Sequence, residues 1–309
     1  MKALVMGGTG FIGRRLVDYL IKDNWDVTIA TSGKSHNPFG DAVNTVTFDR
    51  FDPVSMEEKL SSPPYFDAIF DQIGFGTEDV KRTIQLFKGR TGRYVFTSSA
   101  AVYSGLKGTL SEEDFDSMSY KYQDGSMSGL GYSEGKKSAE SYLLQHAEFP
   151  VAAARFPNVM GHDDSTTRFQ NHVNRVVSGE TFNIPGSCGK RNYVWVDDAG
   201  RFLMWLATAG KSGPYNAASA GGITAINLVK KMATVLEKEA KINTAEEGEG
   251  DSSYFSESDA VLSVSKAERE GFKFTPLDDW LTNETREVAA SGGQPLNSME
   301  YFRDLMQKK

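Results

Sequence analysis

A short apolar run, Lys2–Met6, meets three glycines spaced by three, Gly7, Gly10 and Gly13, and then a stretch with apolar residues at Ile12, Leu16, Tyr19 and Leu20. The run reads as a buried strand and Phe11–Ile21 as a helix. A strand that turns into a helix through glycines sets the helix amino terminus at the strand's carboxyl end. There the free backbone amides and the helix dipole favour an anion. Gly7 allows the tight turn, Gly10 lets the backbone approach a pyrophosphate, and Gly13 lets the helix close on the sheet. The spacing is GxxGxxG, and its place in a first βαβ unit predicts a dinucleotide site.

Strand and helix signals alternate through the first half. Strands are expected at Asp26–Thr31, Thr45–Phe48, Asp67–Ile73, Arg93–Thr97 and Val151–Phe156, with helices at Glu78–Phe87 and Tyr132–His146. Strands separated by helices pair in parallel through right-handed crossovers. The fold class is therefore α/β, a Rossmann-type doubly wound parallel sheet with a smaller C-terminal substrate-binding lobe. Residues 1–155 plus about 192–215 form the first unit, with Asn192–Val196 and the helix after Asp197 returning to the sheet. Residues 156–191 plus 216–309 form the second, with two helical segments and a short strand after Ala217. Asp197-Asp198 are expected to cap the helix that follows.

Composition narrows the function. The 309 residues carry a net charge of -7, which argues against a general polyanion binder such as a nucleic-acid protein. No apolar stretch approaches the ~20 residues that span a bilayer. The amino terminus has no export signal, and one cysteine, Cys188, fits a reducing cytoplasm. Four histidines and that cysteine give no metal-ligand spacing. His162 is placed either at a substrate cleft or as a solvated loop residue.

The end of the second strand, where an acid would meet the adenosine ribose, reads Thr31-Ser32-Gly33-Lys34. A hydroxyl pair and a lysine in place of a carboxylate favour NADP over NAD. Asp49, ending the third strand, is placed to contact the adenine or to cap the turn before Pro53. The cofactor-binding set is Gly7, Gly10, Phe11, Ile12, Gly13, Thr31, Lys34, Asp49, Arg50, Ile73, Gly74, Tyr132 and Lys136.

Ser98-Ser99 ends the fifth strand, at the edge where open α/β sheets bind ligands. Tyr132 and Lys136 open the next long helix, four apart and so on one face. A lysine ammonium beside a phenol favours the phenolate and suits it to proton transfer. Ser99 is placed to hydrogen-bond the substrate oxygen. Tyr103 and Lys107 repeat the spacing, but Gly105 and Gly108 set them in a loop.

These segments, GGTGFIG at 7–13, FTSSAAVYS at 96–104, YSEGKKSAE at 132–140, RFPNVMG at 155–161, RNYVWVDDA at 191–199 and YNAAS at 215–219, resemble the extended short-chain dehydrogenase/reductases. Within that class the likeness is to the NAD(P)-dependent sugar epimerase/dehydratase group. The resemblance implies a catalytic set of Ser99, Tyr132 and Lys136, with Tyr132 the general acid/base and Lys136 holding the nicotinamide ribose. It further implies that Asn158 and Arg191 touch a nucleotide-linked, sugar-like substrate. Homodimers are common in the family, and the interface is not legible here.

Two departures stand out. The segment from Glu112 to Gly131 is longer than the usual connection, so an altered substrate mouth is expected. Ser263-Val264-Ser265-Lys266-Ala267 lacks the aspartate that usually opens this late motif, and Asp251-Ser252-Ser253-Tyr254-Phe255 before it supplies no arginine. This late segment, and Thr28–Lys34, look similar to the atypical branch containing chloroplast stem-loop RNA-binding proteins. Three readings follow: an epimerase or dehydratase that regenerates its cofactor, a reductase that consumes NADPH, or a non-catalytic dinucleotide-binding or RNA-associated protein. The intact Ser99, Tyr132 and Lys136 set argues against the last.

Overall fold

The computed structural model describes residues 1–34, 36–60, 63–244 and 250–291. Of the acidic run 246–251, only Gly250 and Asp251 fall within them. In chain order the elements are β1 (Lys2–Met6), α1 (Phe11–Lys22), β2 (Asp26–Thr31), β3 (Asn44–Thr47), α2 (Pro53–Leu60), β4 (Ala68–Asp71), α3 (Thr77–Phe87) and β5 (Tyr94–Ser99). Next come β6 (Gly108–Leu110), α4 (Met127–Leu130), α5 (Tyr132–His146), β7 (Val151–Phe156), β8 (Val159–Met160) and α6 (Arg168–Ser178). They are followed by β9 (Phe182–Asn183), β10 (Lys190–Arg191), β11 (Val194–Trp195), α7 (Val196–Thr208), β12 (Gly213–Asn216) and β13 (Ile223–Thr224). Last are α8 (Ala225–Val235), β14 (Ile242–Asn243), β15 (Ala260–Leu262), α9 (Ser265–Arg269) and α10 (Leu277–Ala290).

Seven parallel strands form the large sheet in the order β12-β7-β5-β4-β1-β2-β3. The chain winds outward from β1 to β3, then returns to start β4 on the other side of β1. This reversal leaves a crevice at the carboxyl ends of β1 and β4, the position where such sheets take ligands. Strands covered on both faces read as continuous apolar runs. The sequence Val-Ala-Ala-Ala-Arg-Phe of β7 is buried throughout. Leu16, Val17 and Leu20 of α1 cover one face together with Phe202, Leu203 and Leu206 of α7. Val80 and Phe87 of α3 and Ala139 and Leu143 of α5 cover the other.

Four expectations need correction. Val194–Trp195 pairs with Val159–Met160 in a separate two-stranded sheet and does not return to the large one. The strand that does return is Gly213–Asn216, whose Gly-Pro opening hides it from a propensity reading. Asp197 and Asp198 lie inside the first turn of α7, and neither caps it. Asp197 instead accepts from Arg15 Nε at 3.0 Å, and Asp198 from the Thr275 amide at 2.5 Å. Three helices, not two, follow Ala217. Two of them, α8 and α10, pack with α6 around a core that includes Phe169, Tyr193, Leu228, Met232 and Trp280, whereas Ala267 of α9 joins the core of the large sheet.

The long 112–131 segment is a strap over α5. Gln145 Nε2 donates to the carbonyls of Ser117 and Tyr120, and the Gln123 amide to Ser138 Oγ at 2.9 Å. Tyr120 donates to Glu134, and Lys81 of α3 pairs with Asp124. The strap ends in α4 and Gly131, whose φ of 76° suits a glycine at the sharp entry to α5.

Candidate active site

A cleft of about 960 Å³ opens along the carboxyl ends of the central strands. Gly7, Thr9, Gly10, Phe11 and Ile12 line one end with Thr31, Ser32, Phe48 and Arg50. Gln72 and Ile73 from the end of β4 and Thr97–Ala101 from the end of β5 line its floor. Gly7 holds a φ of 87°, and a Cβ on Gly13 would stand 2.1 Å from the Gly7 carbonyl oxygen. Only glycine lets the first helix approach the turn so closely. Gln72 Nε2 and Thr97 Oγ1 are buried on this wall with no hydrogen-bond partner among the described residues. A cradle open at the glycine turn and lined with unmet polar atoms fits a dinucleotide.

Tyr132, Lys136 and Ser99 meet in the middle of the cleft. Gly131 starts α5, and Ser133 Oγ ties its first turn to the Ala101 carbonyl at 2.5 Å. Ser99 Oγ accepts the Ala101 amide at 3.1 Å, which turns the chain just beyond β5. Burial raises the Tyr132 pKa, while the neighbouring Ser99 hydroxyl and then the Arg168 charge pull it down. Lys136 is wholly enclosed. Its Nζ donates to the carbonyls of Gly74 at 2.8 Å and Thr97 at 2.7 Å and lies over the rings of Phe75 and Phe96. Burial lowers its pKa to about 8, opposed by Asp71 and Asp79. The expected acidification of Tyr132 by Lys136 is therefore not what this arrangement does. The ammonium is turned to two backbone carbonyls, and Ser99 and Arg168 only partly offset the upward push of burial on Tyr132.

The other sequence-derived residues divide. Thr31, Arg50 and Ile73 line the cleft, and Gly74 contributes its carbonyl to Lys136. Asp49 is not among the lining residues, and its Oδ1 accepts the Phe51 amide at 2.9 Å. Lys34 is exposed and lies outside the lining residues. Asn158 and Arg191 line the opposite end, Arg191 as an exposed residue of β10. His162 lines no part of it, since Nδ1 stands 3.0 Å from both Glu284 and Glu287. The decoy Tyr103 is buried, and its hydroxyl donates to Asn216 Oδ1 and accepts from Arg155.

Arg168 and Tyr193 are among the lining residues that the sequence reading did not single out. Arg168 opens α6 and donates Nη1 to Asn158 Oδ1 at 3.1 Å and Nε to Thr166 Oγ1 at 2.9 Å. It is presented by Thr167 at a φ of 58°, a strained conformation for a β-branched residue. Tyr193 is buried on the same wall with its hydroxyl unpartnered among the described residues. Arg168 lies ten residues from Asn158 and meets it only in the fold, and nothing local marks either Arg168 or Tyr193.

Fold and site define a Rossmann-type α/β protein with a serine, tyrosine and lysine at the switch-point crevice. The profile of the NAD dependent epimerase/dehydratase family matches residues 3–87 and 76–218, and the chain belongs to that family. It is 24% identical over 272 residues to UDP-glucuronic acid decarboxylase 4 of Arabidopsis thaliana, covering 78% of this chain and 59% of that relative's length. A 115-residue stretch, 33% of this chain and 30% of the relative, is 32% identical to the chloroplast stem-loop binding protein of 41 kDa b of the same plant. The UDP-glucose 4-epimerase of Thermotoga maritima superposes with a TM-score of 0.70 at 20% identity, covering 94% of this chain and 99% of that one. Among the described residues no helix is long and apolar enough to cross a membrane.

Proposed function

We propose that the chain is an NAD(P)-dependent oxidoreductase acting at a secondary alcohol or ketone of a sugar-like, nucleotide-linked substrate. The observation that carries this reading is the meeting of Tyr132, Ser99 and Lys136 beside a glycine turn built for a pyrophosphate. The dinucleotide supplies a hydride donor and acceptor at its nicotinamide. Gly7, Gly10 and the amino terminus of α1 would hold its phosphates. Lys136 would hold its nicotinamide ribose.

Tyr132 moves the proton. Its phenol, with an ordinary pKa of about 10 pushed further up, is protonated near neutral pH and poised to donate to a carbonyl oxygen as that carbon takes up hydride. Ser99 hydrogen-bonds the same oxygen and favours the phenolate left behind. In the reverse direction that phenolate recovers the proton from the hydroxyl. Arg168 and Arg191 bring positive charge to the far end of the cleft, which suits the diphosphate of a nucleotide sugar. The nucleotide-sugar names of the decarboxylase and epimerase relatives support this substrate class.

Thr31 and Ser32 on the cleft wall, with Lys34 beyond, support NADP as the preferred dinucleotide and hence an NADPH-dependent reductase as the second reading. Purified protein that retains NAD(H) through gel filtration supports the epimerase/dehydratase reading; freely exchanging NADPH supports the reductase. Once a substrate is identified from a nucleotide-sugar panel, Tyr132→Phe is expected to lower kcat by about 10²–10⁴-fold with dinucleotide affinity intact. Unchanged turnover removes Tyr132 from the chemistry.

A further inference from the structure

Below the turn between β4 and α3 lies an ion pair that no step above uses. Arg50 is 2% exposed and Asp71 is 0% exposed. Arg50 Nη2 donates to Asp71 Oδ2 at 2.6 Å and to Thr83 Oγ1 at 3.3 Å, and the Tyr94 hydroxyl donates to the same Asp71 oxygen. Burial works against the Arg50 charge, but Asp71 and Asp79 outweigh it and hold the guanidinium pKa above its ordinary value. Asp71 Oδ1 accepts the Ile73 amide at 3.0 Å. Asp79 Oδ2 accepts the amides of Phe75 at 2.8 Å and Gly76 at 3.2 Å. Two carboxylates thus hold the 72–76 turn from its two ends. A buried pair seldom stabilises a fold more than apolar side chains of the same shape, so stability alone does not account for this one.

The turn is the seat of the catalytic pair. Gly74 gives its carbonyl to Lys136 Nζ, and the Phe75 ring lies 4.5 Å from that ammonium and 6.4 Å, centroid to centroid, from the Tyr132 ring. Helix α5 rides directly on it: a Cβ on Gly135 would stand 2.4 Å from the Phe75 carbonyl oxygen. A Cβ on Gly74 would stand 2.9 Å from Asp71 Oδ2. With contacts this close, any shift of the turn passes into the first turn of α5.

We propose that Asp71, aimed by Arg50, is a positioning residue that holds the 72–76 turn so that Gly74 presents its carbonyl to Lys136. The inference rests on the reading that Lys136 holds the dinucleotide. Charge acts in the same sense. Burial lowers the Lys136 pKa to about 8, Asp71, Asp79 and Glu140 push it up, and Arg50 pushes it down.

The test is a pair of charge-neutral double exchanges, followed by nucleotide fluorescence with NADH and NADPH and by thermal unfolding. Arg50→Met with Asp71→Leu strands no charge but leaves the buried Tyr94 hydroxyl without its acceptor, so the chain is expected to fold with Tm lowered by only a few degrees. The Ile73 amide loses its acceptor, and the dissociation constant is expected to rise at least tenfold. Arg50→Met with Asp71→Asn returns an acceptor to that amide and is expected to recover most of the affinity. A folded leucine pair that binds within twofold of the wild type overturns the proposal, as does an asparagine pair no better than the leucine pair. Should the leucine pair not fold, Arg50→Met with Asp71→Ala, which needs no added volume, is judged by the same limits. Lys136→Met separates the two levels. Unchanged affinity there removes Lys136 from dinucleotide binding, whereas a loss there without one in the double exchanges sinks only the role of Asp71.

Discussion

Arg155 donates to the Glu140 carboxylate at 2.6 Å, and neither side chain reaches solvent. Arg155 belongs to β7 and Glu140 to α5, and the hydroxyls of Ser98 and Ser117 donate to the same carboxylate. Arg155 also donates to the carbonyls of Glu112 and Phe115, both at 2.9 Å. The strand next to β5, the helix bearing Tyr132 and the start of the strap therefore share one charge-neutral network.

Breaking that network from one side leaves an uncompensated charge. Arg155→Met is expected to lower unfolding free energy by about 3–5 kcal/mol in urea titration. Adding Glu140→Leu removes the stranded carboxylate and should return most of the loss. A single variant as stable as the wild type would show that the pair adds nothing.

Gly13→Ala places a methyl group 2.1 Å from the Gly7 carbonyl oxygen, in a position that only backbone movement can relieve. The expected destabilisation is about 1–3 kcal/mol. The displaced turn should also lose NADH binding, read by fluorescence titration. Retained binding with lowered Tm would separate helix packing from the cofactor site.

The dinucleotide preference is testable at the second strand. Lys34→Ala is expected to weaken NADPH binding while leaving NADH binding within about twofold, since its charge would meet only the 2′-phosphate. Equal effects on the two nucleotides would show that Lys34 takes no part in choosing between them.

Two histidines give opposite pH dependences. The hydrogen bond to Glu284 raises the His162 pKa against the opposing effect of burial. Its stabilising contribution is complete below the unfolded value of about 6.5 and fades as pH rises through the higher folded value. Burial lowers His172 to about 4, with Nε2 beside Ser252 Oγ at 2.8 Å. That contribution is present above about 6.5 and is lost as pH falls toward about 4. Melting curves across this range should flatten on the alkaline side in His162→Gln and on the acid side in His172→Phe.

What the sequence made legible was local. The strands Lys2–Met6, Asp26–Thr31 and Val151–Phe156 and the helix Tyr132–His146 coincide with the observed elements, because each carries its own periodicity and punctuation. The glycine turn and Ser99 could be placed for the same reason. Gly213–Asn216 is a strand only because β7 stands beside it. Arg50 and Asp71 lie 21 residues apart and become partners only when β3 and β4 are both in the sheet. Arg168 reaches the cleft through the backbone of Thr167, which no propensity announces. Asp49 and Arg50 are neighbours facing different ways, a distinction set by the turn rather than by residue type.

The strap over α5 carries Met127 to the cleft mouth and leads through Gly131 into Tyr132. One stretch of chain thereby shapes the entrance and sets the start of the helix that opens with Tyr132. A lineage that retunes the entrance by lengthening or shortening this stretch must reseat Tyr132 in the same step. Diversification of such a molecule is therefore expected to run through side-chain replacement on a strap of constant length, with insertions and deletions confined to other loops.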